Sequence, residues 1–231
     1  VEPGLSDEER AIQATAHRYA RDVLRPVGKA LDRMTPEQVI APESPYWEAR
    51  RQYLELGLDL TEASRGLGPV EVARLTYLVH EELGWGDLGL GWGFYGGSFP
   101  SALAQALGRE DLAAIFTPDR LGCWGITEPD HGSDSLDPEG MAQHAKPNYG
   151  RPNCIATLKS DRIVINGQKS AWVSNGPIGQ VCILYCAADS GYSSSLMIST
   201  SSTIAQPQLP VALCSRPSRR WMGSAMIRKM P

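Results

Sequence analysis

The chain has 231 residues, 42% hydrophobic and 21% charged, which is enough apolar material for one or two domains with cores and too much for a disordered chain. A formal charge of −4 and a pI near 5.6, with no long basic block, argue against a nucleic-acid footprint and favour a small-molecule or protein partner. No apolar run reaches the roughly 20 residues that span a bilayer, and the N-terminal VEPGLSDEER is acidic where a secretory or transit peptide is basic, so no membrane association and a cytoplasmic location are expected.

Ser6 followed by Glu9 forms a capping-box pattern, and Ile12, Ala16, Tyr19, Val23, Val27 and Leu31 recur behind it at helical spacing. The first element is therefore a helix, expected to bend at Pro26. Ser44-Pro45, a cap followed by proline at the first helical position, starts a second helix that runs to Gly57. A third is predicted from about Pro69 to Gly84, and SFPSALAQALG suggests a fourth after Ser98. Trp85, Trp92, Phe94 and Tyr95 fall in a Gly-rich corner, where aromatic residues are usually core.

After Pro118 the texture changes. LGCWGIT, IATLKS, RIVING, KSAWVS and VCILYCA are short β-branched or aromatic runs between turn residues, which predicts antiparallel strands. Asn166-Gly167 is the strongest hairpin signal. The expected fold class is α+β: an all-helical domain over residues 1–118, then a partial antiparallel β-domain over 119–189. Residues 190–231 form an atypical Ser/Arg-rich tail with ten serines, no Asp or Glu, and no clean alternation.

Five cysteines (Cys123, Cys154, Cys182, Cys186, Cys214) are odd in number and never spaced Cys-x-x-Cys, so buried reduced thiols are expected rather than disulfides or a zinc site. HEE at His80 lacks a second histidine at helical spacing, so metal catalysis is not signalled. A serine hydrolase built from Ser133, His131 and Asp134 fails because neighbours on one stretch of chain do not converge on one proton path, and no Gly-x-Ser-x-Gly elbow surrounds Ser133 or Ser98.

What remains is GITEPDHGSDS, Gly125 to Ser135, with many short polar groups in one turn. Buried polar groups must be bonded within the protein or face a ligand, since an unpaired one costs about 1–3 kcal/mol. Thr127 and Ser133 offer hydroxyls and Gly132 allows close backbone approach, a set that suits a planar heteroaromatic cofactor.

TEPDHGSD followed by INGQKSAWVSNG resembles the acyl-CoA dehydrogenase family, over roughly residues 1–189. The resemblance implies that family's fold, an N-terminal helical domain, a middle β-domain and a C-terminal four-helix domain, with FAD between the last two. It implies that Trp124 to Ser133, including Ile126, Thr127 and Gly132, line the flavin, with Thr127 donating to the pyrimidine side of the ring. Ser133 would sit where the arm of acyl-CoA approaches the cofactor. Trp172 would pack its indole on the isoalloxazine, and Ser174 would bond near the nitrogen that accepts hydride. Val173 would point to the opposite face of the strand. Glu128 and Asp134 are expected to hold the turn through backbone hydrogen bonds.

Three departures from the family are visible. His131 occupies a position that is usually small. Gly167 lies 33 positions after Asp134, longer than the usual link, and the extra residues are loop-like. The carboxylate that removes the α-proton in the family comes from the C-terminal helical domain, which this sequence does not show. The expectation is therefore a truncated, FAD-dependent relative that is inactive alone, with a tail recoded near Tyr192. Acyl-CoA is the expected substrate, and an electron-transfer flavoprotein and homo-oligomerisation are expected of complete relatives. The alternatives are a non-catalytic remnant or binding module, and an oxidase or monooxygenase branch on the same scaffold.

Overall fold

A computed structural model describes residues 4–130, 132, 153–159, 162–170, 173–189 and 225–228. The chain divides into two compact units, residues 1–119 and 120–231. The first is helical. Helix α1, Asp7–Tyr19, opens with the expected capping box, Ser6 accepting from the Glu9 amide while Glu9 accepts from the Ser6 amide. It does not break at Pro26. A π-helical stretch, Ala20–Leu24, runs directly into α2, Arg25–Leu31, so the irregularity precedes the proline, which sits in the first turn of α2 where no amide hydrogen is required.

A short α3, Pro36–Val39, precedes α4, Pro45–Glu55. Ser44 caps α4 as expected, and Gly57 stands just beyond its end at φ +67°. The helix predicted over 69–84 instead extends as α5, Pro69–Gly97, interrupted only at Asp87 (φ −160°, ψ 109°). Asp87 acts as an internal cap, its carboxylate accepting from the Leu90 amide at 2.9 Å and restarting the helix. The glycines that suggested a corner therefore lie inside a helix. Gly86 needs to be small, because a Cβ there would meet the Ala20 carbonyl oxygen at 2.9 Å. Trp85 and Trp92 are exposed, Tyr95 is half-buried, and only Phe94 is fully enclosed. α6, Phe99–Ala106, and α7, Glu110–Ala113, complete the unit.

The helical core is built around Tyr53, Phe94, Leu24, Leu83 and Val79, with Tyr19 and Tyr46 beside them. Two of its tyrosines differ in one respect. The Tyr19 hydroxyl donates to the Ala49 carbonyl at 2.7 Å, whereas the Tyr53 hydroxyl, in a fully buried side chain, makes no hydrogen bond among the described residues. Tyr53→Phe is expected to raise the unfolding free energy by about 1 kcal/mol and Tyr19→Phe to lower it by about 1 kcal/mol. Urea denaturation of both variants checks this. A loss of stability in Tyr53→Phe would show that the hydroxyl is satisfied.

The second unit carries two sheets. In one, β1 (Gly122–Gly125) pairs in parallel with β4 (Val181–Leu184), with Trp124 opposite Ile183. In the other, the order is β5-β2-β3-β6: Ile155–Leu158 (β2) is antiparallel to Arg162–Asn166 (β3) and parallel to Ala187–Asp189 (β5). The α+β class stands, but the pairing is mixed rather than wholly antiparallel. VCILYCA supplies both β4 and β5 and so serves both sheets. The strand Ala225–Arg228 (β6) pairs with β3 in antiparallel fashion, so the segment read as a non-alternating tail contributes a strand; its other residues lie outside the described ones.

Asn166-Gly167 does not make the hairpin. It ends β3, while the β2–β3 connection falls between Leu158 and Arg162. Gly167 is needed for another reason. At φ +145°, it passes so close to Cys154 that an added Cβ would lie 2.4 Å from the Cys154 Cα. No helix among the described residues is long and apolar enough to cross a membrane.

Candidate functional site

β1 carries the polar turn. Its Gly125 carbonyl accepts from the Tyr185 amide at 3.0 Å, and the chain then leaves the sheet through Ile126, Thr127 and Glu128. From there it bonds to a different partner. The Thr127 carbonyl accepts from the Ser170 amide at 3.0 Å, and the Asn175 side chain donates to the Gly122 carbonyl at 3.3 Å. These two bonds bring Ser170 against Thr127 and Asn175 against Gly122. The two motifs, separated by some forty residues of sequence, are neighbours in space.

Between them lies a buried ion pair. Glu128 Oε1 stands 2.7 Å from Lys169 Nζ, with side chains 0% and 5% exposed. Each ion has further partners. Glu128 also accepts from the amides of Asn153 (2.6 Å) and Cys154 (2.9 Å), and Lys169 also donates to the Ile126 carbonyl at 3.1 Å. Such bonding is what makes a buried pair tolerable, since each ion gives up its hydration on burial. The expectation that Glu128 holds the turn through backbone hydrogen bonds is met through the Asn153 and Cys154 amides. Asp134 lies outside the described residues.

Trp124, in β1, is half-buried and stacks on Tyr185, with ring centroids 5.5 Å apart and planes at 30°. Ile126 and Thr127 are half-buried, and Gly132 is exposed, with nothing within 4 Å of where a Cβ would stand. Ser133, Trp172 and His131 lie outside the described residues. Val173 and Ser174 are half-buried but not on a strand: the Gly176 amide donates to the Val173 carbonyl at 2.9 Å, and Asn175 takes φ +60°. The pair belongs to a turn that asparagine's tolerance of left-handed backbone permits, so the alternating-face argument for Val173 does not apply. Lys169 stands inside the INGQKS motif, but its role could not be assigned from sequence.

The thiols in this unit are chemically quiet. Cys123 and Cys182 face each other across the β1–β4 pair, and hydrogen bonding to Cys123 together with burial pushes the Cys182 thiol up. Burial raises Cys154, and raises Cys186 to about 11. None of the four forms a disulfide, and the raised Cys154, Cys182 and Cys186 stay protonated at neutral pH, which makes those three poor nucleophiles. Among the described residues no three His, Cys, Asp or Glu side chains converge as a metal site.

The site thus offers half-buried Thr127 and Ser174 hydroxyls and a Trp124 stacked on Tyr185. This donor set fits a flat, polar-edged ring such as a flavin.

No family model matches the chain. Isovaleryl-CoA dehydrogenase, mitochondrial, from Pongo abelii is 24% identical over 194 residues, covering 80% of this chain and 41% of the relative. A glutaryl-CoA dehydrogenase from Mycobacterium smegmatis is 29% identical with a TM-score of 0.58, covering 80% of this chain and 44% of that one. A second crystal structure described as a glutaryl-CoA dehydrogenase from the same organism, in complex with FADH2, matches at 26% and 0.55, with 80% and 44% coverage. Nitroalkane oxidase shares the fold at 16% identity and a TM-score of 0.57, covering 82% of this chain and 44% of that one. The chain spans between 38% and 45% of the length of the curated relatives it matches. Over about 80% of its length, at low identity, the chain is similar to curated acyl-CoA dehydrogenases and to solved structures of that fold.

Proposed function

We propose that this chain forms the helical and strand portions of an FAD-dependent oxidoreductase of the acyl-CoA dehydrogenase type. The observation that carries the reading is that Ser170 bonds to Thr127, Asn175 to Gly122 and Lys169 to Glu128, which ties the two motifs together in space. FAD, when bound, would supply the hydride acceptor. The chain's residues would supply its setting: Thr127 would donate to the ring's pyrimidine edge, Ser174 would bond near the nitrogen that accepts hydride, and Trp124 with Ile126 would exclude water from one side. Ser133 and Trp172 belong to the same proposal, Ser133 meeting the acyl-CoA arm and Trp172 covering the ring.

An acyl-CoA thioester is the proposed substrate class and an electron-transferring flavoprotein the acceptor. Glu128 is not proposed as the base for the α-proton, because its side chain is fully buried and paired with Lys169. The base lies elsewhere than in this turn. The oxidase branch is the second reading, favoured by the nitroalkane oxidase fold. It predicts rapid reoxidation of the reduced flavin in air without an acceptor protein.

The test is an absorbance titration of the purified chain with FAD. Binding with a shifted, structured flavin spectrum is expected, and Thr127→Val and Ser174→Ala are each expected to weaken it about three- to tenfold, one lost hydrogen bond apiece. No bound flavin, or unchanged affinity in both variants, would overturn the reading.

A further inference from the structure

Lys169 and Glu128 hold more than each other. The Lys169 stem lies across Gly125, with Cγ 3.4 Å from where a Gly125 Cβ would stand, and Nζ reaches both the Ile126 carbonyl and Glu128 Oε1. Glu128 in turn gathers the Asn153 and Cys154 amides at the start of β2. Three separate stretches of chain therefore meet on one pair: the exit of β1, the entry to β2 and the segment after β3. Thr127 stands between the two residues that Lys169 grips. Its carbonyl is taken by the amide of Ser170, the residue after Lys169. Residue 127 is fixed on either side and through its own backbone, while its side chain is only half-buried.

A buried charged pair is a costly way to brace a turn, and a well-packed apolar pair often serves stability as well. Its particular advantage here is directional. Bonds from one ammonium to two acceptors flanking a single threonine restrict where that hydroxyl can aim. We propose that the Glu128–Lys169 pair is a positioning device for Thr127, holding its hydroxyl toward a ligand bound against the turn. The proposal rests on the flavin reading for the identity of that ligand. Neither ion touches the ring; both act through Thr127.

The test uses FAD titration of the full chain and the absorption spectrum of the bound flavin. Lys169→Met is expected to weaken FAD binding about tenfold, and Lys169→Arg, which keeps the cation, to recover part of that. Because the pair acts through Thr127, the Lys169→Met/Thr127→Val double variant is expected to bind no more than about twofold more weakly than the weaker single variant. Its flavin spectrum is expected to match that of Thr127→Val. Glu128→Gln, which keeps the shape and one acceptor oxygen, carries the same expectations if Lys169→Met does not fold. Arg74→Met, which breaks the Glu9–Arg74 pair of the helical unit, serves as a control and is expected to leave the spectrum unchanged. Multiplicative losses in the double variant, or wild-type affinity and spectrum in Lys169→Met, would overturn the proposal while leaving flavin binding intact. A wild-type chain that takes up no flavin would overturn the underlying reading, and this inference with it.

Discussion

Glu128→Ala is expected to lower the unfolding free energy of the strand unit by about 3–5 kcal/mol, the range for removing one member of a buried pair. The loss has two parts. Lys169 is left as an uncompensated ammonium with a side chain 5% exposed, and the Asn153 and Cys154 amides lose their acceptor. Exposed pairs give the contrast: Glu62 and Arg65 form an ion pair with side chains 77% and 71% exposed, and Glu62→Ala is expected to change stability by less than about 0.5 kcal/mol. Glu128→Gln/Lys169→Met should recover much of the deficit, since it removes the stranded charge and keeps an acceptor for one amide. Urea denaturation of the three variants decides. A loss in Glu128→Ala no larger than in Glu62→Ala would mean that the pair contributes nothing net.

Gly167→Ala is expected to be comparably severe, about 3 kcal/mol or more, for a different reason. A left-handed backbone alone costs an alanine about 1–2 kcal/mol, as at Gly57, where φ is +67° and a Cβ would meet nothing within 4 Å. Gly167 adds a collision: its Cβ would lie 2.4 Å from the Cys154 Cα and 2.9 Å from its Cβ. Backbone atoms cannot swing aside as a side-chain tip can. The β2–β3 ladder must open at its Ile155–Asn166 end to admit the methyl group. Gly57→Ala and Gly167→Ala, compared by denaturation and circular dichroism, separate the two contributions. Equal losses would show that the close approach relaxes freely.

The elements legible in the sequence were those governed by local chemistry. Ser6 with Glu9 and Ser44 with Pro45 start helices through bonds reaching only two or three residues, so the pattern and the structure agree to the residue. Asp87 was not legible as a helix restart, because its neighbouring glycines read equally well as a turn. The Asn166-Gly167 signal was real but misassigned: it marked a glycine required by the approach of Cys154, a contact no local window contains. KSAWVS has strand composition, yet its described residues lie off the ladder, with Ser170 held by Thr127 and Lys169 by Glu128 instead. The parallel pairings of β1 with β4 and β2 with β5 were equally hidden, since partner choice is a tertiary matter. At the candidate site, residue types in the two motifs pointed to the ligand class, while the lysine that joins them was recognisable only once its partner, 41 residues away in sequence, came within reach.

The distribution of sulfur has a practical consequence. Every cysteine of the sequence lies beyond residue 120, and the helical unit has none. A thiol-reactive dye added to the native protein therefore works as a clock for one half of the molecule only. Cys154, at 3% exposure beside Gly167, can be labelled only when that corner opens. The labelling rate of Cys154 thus times the breathing of the strands without any engineered probe, and whatever seats itself against Thr127 should slow that clock.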